Sequence, residues 1–109
     1  MKIDQLLSAA DASVNQTSIG VNIGDQREYS VQIDFSSATL NGTLTLEASN
    51  TNVNYVTIAS TSQSIASGAS HVYNVSGGNY MYYRVKWVPS SGTGTMTATA
   101  VLKEPTNRF

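Results

Sequence analysis

YMYYRVKWVPSSGTGTMTATAVL, spanning Tyr80 to Leu102, alternates apolar and polar residues along both of its halves. Met81, Tyr83, Val85 and Trp87 are apolar, with Arg84 and Lys86 between them; Met96, Ala98, Ala100 and Leu102 alternate with Thr95, Thr97 and Thr99. A period of two marks extended chain, because successive side chains leave a strand on opposite faces. The two halves therefore read as the arms of a long β-hairpin joined through Pro89 to Gly94. Pairing Val88 with Thr95 sets Trp87 against Met96, Val85 against Ala98, Tyr83 against Ala100 and Met81 against Leu102. Large residues on one arm then meet small ones on the other, which fills a close-packed layer.

The same period recurs upstream. Glu28 to Phe35 places Tyr29, Val31, Ile33 and Phe35 on one face, and Thr43 to Ser49 does so with Leu44, Leu46 and Ala48. Thr17 to Ile23 reads as a first strand through Ile19, Val21 and Ile23. Tyr55 to Ala59 is a strand with Val56 and Ile58 together, Ser62 to Ile65 an edge strand, and His71 to Val75 a short strand with Tyr73 and Val75 inward. Between them lie turn residues: Gly24-Asp25, Asn41-Gly42 with positive φ, the asparagine-rich Ser49 to Asn54, Gly68, and Ser76 to Asn79. Seven to eight short strands with turn chemistry between them predict an all-β protein, an antiparallel β-sandwich or jelly roll. Residues 1–16 stand apart. Ile3, Leu6 and Leu7 fall at spacings of three and four, which allows one helical turn too short to be stable alone. They read as an extended N-terminal arm, tucked on its own domain or reaching a neighbour, ahead of a sandwich domain at 17–103 and a C-terminal tail at 104–109 that Pro105 breaks from the last strand.

With 109 residues the chain has the size of one domain, which folds without disulfides or metals; it contains no cysteine. Only 12% of residues are charged and the formal net charge is −1, against about 25% charged residues in an average domain. Neither nucleic acid nor an anionic membrane is an expected partner of such a surface. The start of the chain has no apolar run resembling a signal-peptide core, and no stretch has the length of a membrane span. The N-glycosylation patterns at Asn15, Asn41 and Asn74 are read as chance matches in an Asn- and Thr-rich chain.

Catalysis needs a group that exchanges protons or attacks, beside a partner that tunes it. The single histidine, His71, opens a strand and reads as solvent-facing, and no serine sits in a nucleophile-elbow pattern. Asp4, Asp11, Asp25, Glu28, Asp34, Glu47 and Glu104 are scattered. No catalytic residue, no metal ligand set and no cofactor is expected; Asn50, Asn52 and Asn54 read as a stabilised turn. The PSSGTGT loop joins two strands and so lacks the helix N-terminus of a phosphate cradle. Tyr80, Tyr82, Arg84 and Lys86 share the outward parity of their strand. Such a strip can stack a sugar or meet a protein, or it can cover a sheet face beneath a loop.

GTLTLEASNTNVNYVTIAS (42–60) and NYMYYRVKWVPSSGTGTMTATAV (79–101) resemble strand units of small structural proteins of tailed bacteriophages, over roughly residues 28–102. The first unit is also similar, more distantly, to discoidin-type galactose-binding modules, whose paired cysteines this chain lacks. The phage resemblance implies a non-enzymatic virion protein, made in the host cytoplasm without a signal peptide. Its implied role is capsid decoration or cementing on the outside of the head, as a homo-oligomer. Alternatives are a tail or fibre accessory domain, or a carbohydrate-binding module in host recognition. The partners are then phage capsid or tail proteins, a glycan under the last alternative, and neither nucleic acid nor membrane. The partner-binding candidates are Ile3, Leu6 and Leu7 of the arm and Tyr80, Tyr82, Arg84 and Lys86 of the strip.

Overall fold

The computed structural model of the protein describes residues 2–22, 28–76 and 80–103. Ten antiparallel strands are formed among them: β1 (Lys2–Asp11), β2 (Gln16–Thr17), β3 (Val21–Asn22), β4 (Glu28–Phe35), β5 (Asn41–Ser49), β6 (Val56–Thr57), β7 (Gln63–Ile65), β8 (His71–Ser76), β9 (Tyr82–Ser91) and β10 (Thr95–Lys103). A four-stranded sheet runs β1-β10-β4-β8; in a six-stranded sheet β2 and β3 pair β9, β9 pairs β5, and β5 pairs β6 and β7. The two sheets pack face to face as an all-β sandwich. Ring contacts span the gap, with Tyr29 of β4 at 5.2 Å from Tyr83 of β9 and Phe35 of β4 at 4.7 Å from Trp87 of β9.

Inward residues follow the alternation. Tyr29, Val31 and Ile33 of β4, Leu44, Leu46 and Ala48 of β5, Tyr83, Val85 and Trp87 of β9 and Met96, Ala98, Ala100 and Leu102 of β10 are all buried. The pairing of the last two strands differs from the hairpin expectation. β9 and β10 lie in different sheets: β10 pairs β4 and β1, with Ala98 opposite Ile33 and Leu7, while β9 pairs β5, with Val85 opposite Leu46. The connection is an arch between layers. Gly92 (φ 93°) and Gly94 (φ 151°) take backbone conformations that side chains disfavour, and a Cβ on Gly92 would run into the Thr39 carbonyl. Met81, expected inward, precedes β9 and is 44% exposed.

The N-terminal segment is a strand and not a helical turn. β1 runs antiparallel to β10 from Lys2 opposite Leu102 to Asp11 opposite Thr95. Two register shifts interrupt it, between Gln5 and Leu7 and between Leu7 and Ala10, where two residues of β1 span one step of β10 and three span two. Plain alternation runs from Ile3 outside to Leu6 inside; the first extra residue then sets Leu7 opposite inward Ala98 as well, so two successive leucines meet the core and the apolar residues acquire helix-like spacing. Ala9, at φ 46°, donates its N–H to Thr97 Oγ1 at 3.1 Å in the second irregularity. The same device splits the expected first strand. Thr17 pairs Lys86 and Val21 pairs Tyr83, so four steps on one side match three on the other. Ser18 turns inward, accepting a hydrogen bond from Val85 N–H at 2.9 Å, and Ile19 turns out, 64% exposed. Ile23, like Gly24-Asp25 and residues 104–109, lies outside the described residues.

Trp87 closes one end of the core. It is fully buried, and its indole N–H donates to the Ala12 carbonyl at 2.9 Å. Gly42 belongs to β5 and not to a positive-φ turn; a Cβ there would lie 2.5 Å from Trp87 Cη2, so the glycine makes room for the indole. Pro89, without an N–H, falls where the β5–β9 register shifts, a place in a sheet that tolerates proline. Tyr73 of β8 reaches the opposite layer and donates its hydroxyl to the Thr61 carbonyl at 2.7 Å.

Candidate interaction surfaces

The strip read from β9 is a real surface for three of its four members. Tyr82, Arg84 and Lys86 lie on the outer face of the six-stranded sheet, opposite Ser49, Glu47 and Thr45 of β5. Arg84 donates from Nε to Glu47 Oε1 at 2.7 Å, and its guanidinium lies 3.9 Å from the centre of the Tyr55 ring. Glu47 is thereby buried, 6% exposed, although it points away from the core. A carboxylate removed from water needs such a charged donor, and Arg84 supplies it. The Tyr55 hydroxyl donates to Asn52 Oδ1, and both groups press on Gly20, where a Cβ would collide with them. Partial burial pushes the Tyr55 hydroxyl above its ordinary value while Arg84 pulls the other way. Arg84 is therefore partly spent on structure, and Lys86 stands exposed beside it.

Tyr80 departs from the strip. It precedes β9 and stands at the end of the sandwich, its ring perpendicular to that of buried Tyr83 at 6.2 Å between centres. The neighbouring loop from Ser49 to Asn54 is a pair of hydroxyl-capped turns. Ser49 Oγ accepts the N–H groups of Thr51 and Asn52, each at 3.0 Å, and Thr51 Oγ1 accepts those of Val53 and Asn54, each at 3.3 Å. Asn50 Oδ1 accepts Met81 N–H at 3.1 Å and ties this loop to the start of β9. Between them is a recess of 230 Å³ lined by Tyr80, Val56, Ile58, Asn50, Asn54 and Thr57, among others. Sequence reasoning assigned Tyr80 to the outward face of a strand and missed the recess, because it exists only where two distant loops meet.

Arm residues go to three places. Leu6 is part of the core at 5% exposure, Leu7 packs against the core at its margin, and Ile3 stands 62% exposed on the outer face of the four-stranded sheet. There Ile3 lies in one row with Val101, Ser30 and Asn74, and Gln5 in the next with Thr99, Gln32 and Val72. The groove across this face, 290 Å³, is lined by Ser30, Gln32, Asp34, Val72, Thr99 and Val101. Its one carboxylate among the described residues, Asp34, accepts hydrogen bonds from Gln32 and from the Ser70 hydroxyl. His71 stacks edge-on with Tyr73 at 4.5 Å.

No family model matches the chain and no curated protein matches it. Solved structures do resemble it. The crystal structure of PBSX exported protein XepA superimposes with a TM-score of 0.73 at 18% identity over 99% of this chain, which spans 39% of that longer chain. The crystal structure of SPBc2 prophage-derived protein YomS superimposes with a TM-score of 0.60 at 14% identity, covering 91% of this chain and 92% of its own. At these identities the likeness is one of fold; the second neighbour is described as prophage-derived and the first as an exported protein of PBSX.

Proposed function

We propose that the chain is a non-enzymatic structural protein of a tailed bacteriophage, decorating the outside of the head as a homo-oligomer. The observation that carries this reading is the fold shared over nearly the whole chain with a prophage-derived protein, YomS, and with the PBSX exported protein XepA, joined to the phage-like strand units of the sequence. The chemistry of the described surface suits it. Glu47 is committed to Arg84, Asp34 to Gln32 and Ser70, and Asp11 to Ser13, so these acids act within the fold. The outer face of the four-stranded sheet offers Ile3, Val72 and Val101 among Ser, Thr, Gln and Asn, a mixture suited to wet protein contacts driven by area more than charge.

Light scattering of the purified protein gives its oligomeric state, and co-sedimentation with assembled heads and, separately, tails of the phage that encodes it gives the site. An oligomer that saturates heads supports the proposal; saturation of tails alone assigns it to the tail, and failure to bind either particle refutes a virion role. The description of XepA as an exported protein favours a second reading, a phage product acting outside the producing cell and apart from the particle. Free protein in the medium before lysis, absent from purified virions, is the outcome that selects it.

A further inference from the structure

We propose that the recess beside Tyr80 is a binding site for a single neutral pyranose ring. It stands on geometry and holds whether or not the chain coats a phage head. At 230 Å³ the recess is smaller than the roughly 300 Å³ at which sites for drug-sized ligands begin, so it suits one sugar ring. Its wall combines two kinds of surface. Tyr80, 45% exposed and oriented by its contact with Tyr83, together with Val56 and Ile58, supplies an apolar patch with one aromatic ring. The C–H face of a pyranose packs on such a patch. The Asn54 amide, the Thr57 hydroxyl, the Asn50 amide nitrogen and the Tyr80 hydroxyl have no hydrogen-bond partner among the described residues. Amides and hydroxyls both donate and accept, matching sugar hydroxyls that do the same.

The polar groups are held in place. Asn50 is fixed through its carbonyl oxygen on Met81 N–H, and the backbone that carries Asn54 is capped by Thr51. A site whose loop is already bonded loses little entropy on binding. Among the described residues no charged side chain lines the recess, which disfavours nucleotides, phosphorylated sugars and sialic acids, whose negative charge would find no cation there. The larger groove on the four-stranded sheet is the weaker candidate, since no aromatic ring lines it among the described residues and the Asp34 carboxylate is already bonded.

The test is an NMR titration of the ¹⁵N-labelled protein with methyl glycosides of glucose, galactose, mannose, N-acetylglucosamine and N-acetylgalactosamine, with N-acetylneuraminic acid as the charged comparison. Saturable shifts at Asn50, Asn54 and Thr57 with a Kd of about 1–10 mM are expected for at least one neutral glycoside, the strength that a ligand of this size allows. Tyr80→Ala should weaken binding about tenfold, equivalent to about 1.4 kcal/mol, and Asn54→Ala severalfold. Both side chains are exposed, so the fold tolerates their loss. Tyr82→Ala, on the sheet face outside the recess, should leave Kd unchanged. Shifts that do not saturate, binding lost in Tyr82→Ala and kept in Tyr80→Ala, or binding of the charged sugar alone each overturn the proposal.

Discussion

Replacing Trp87 tests the packing of this sandwich at its most constrained point. The indole is fully buried, its ring tilted against that of Phe35 at 4.7 Å between centres, bonded to the Ala12 carbonyl and pressed against Gly42. A buried tryptophan removes about 150–250 Å² from water, worth about 4–6 kcal/mol at about 25 cal/mol per Å². Because part of the cavity collapses, Trp87→Ala should cost about 3–5 kcal/mol. At about 4–6 °C per kcal/mol for a domain of this size, the midpoint of melting falls by at least about 12 °C. Trp87→Phe isolates the polar part. It leaves the buried Ala12 carbonyl without its donor, a cost of about 1–3 kcal/mol, with about 1 kcal/mol more for lost contacts. Gly42→Ala should by itself cost about 1–3 kcal/mol by overpacking. In the Trp87→Phe background it should cost about 0.5–1 kcal/mol less, since the ring atom it strikes is gone while the Val88 carbonyl at 2.6 Å remains. The assay is urea unfolding followed by far-ultraviolet circular dichroism, because these variants remove the only tryptophan. A Trp87→Ala loss below about 1 kcal/mol, or no coupling between the two sites, refutes this account of the core.

Deleting residues 2–11 should abolish cooperative unfolding, because β1 covers the edge of β10 and supplies Leu6 to the core; circular dichroism melting checks it, and a stable truncated domain would return the segment to the role of a detachable arm. Ser18→Ala should cost about 1–3 kcal/mol in urea unfolding, since the buried Val85 N–H loses its acceptor. Burial pushes the Tyr73 hydroxyl up to about 12 from 10.0. Its folded value is raised, so the stability it lends is complete below pH 10 and is lost as the pH climbs from 10 toward 12. Tyr73→Phe should therefore flatten the alkaline loss of stability while lowering neutral stability by about 1 kcal/mol through the hydrogen bond to Thr61; parallel urea titrations across that range decide it.

The core was legible because burial on a strand depends only on parity. Tyr29, Leu46, Tyr83, Val85 and Ala98 are inward under any pairing that keeps the alternation, and all are buried. Parity fails where a residue is inserted. Ile19 was expected inside and lies outside, and Leu6 with Leu7 appeared helical because both meet the core, since at each place the chain takes one more residue than its partner strand. No local composition marks such an insertion: it is forced by the partner, whose position is a property of the whole fold. The surface was less legible still. Tyr82, Arg84 and Lys86 share a face as strand geometry requires, but the burial of Glu47 beneath Arg84 depends on Tyr55, a residue from another strand connection.

The arch between β9 and β10 shows the limit most clearly. A period of two assigns each side chain to a face and says nothing about which strand lies alongside. A hairpin and an arch both place Trp87, Val85 and Tyr83 toward Met96, Ala98, Ala100 and Leu102; in a hairpin they are neighbours in one layer, in an arch they face each other from two. Size decides between the two. Side by side in one sheet, Tyr83 and Trp87 next to Ala98 and Ala100 leave the opposite layer to fill the space over the alanines. Across a gap of about 10 Å the rings of β9 instead meet those of β4, Tyr83 against Tyr29 and Trp87 against Phe35, and the alanines of β10 lie beside β4 in the same layer. The expected ladder of large residues against small ones is therefore replaced, with Val85 opposite Leu46 in one sheet and Ala98 opposite Ile33 in the other. The two glycines between the strands, both at positive φ, let the chain change layers there.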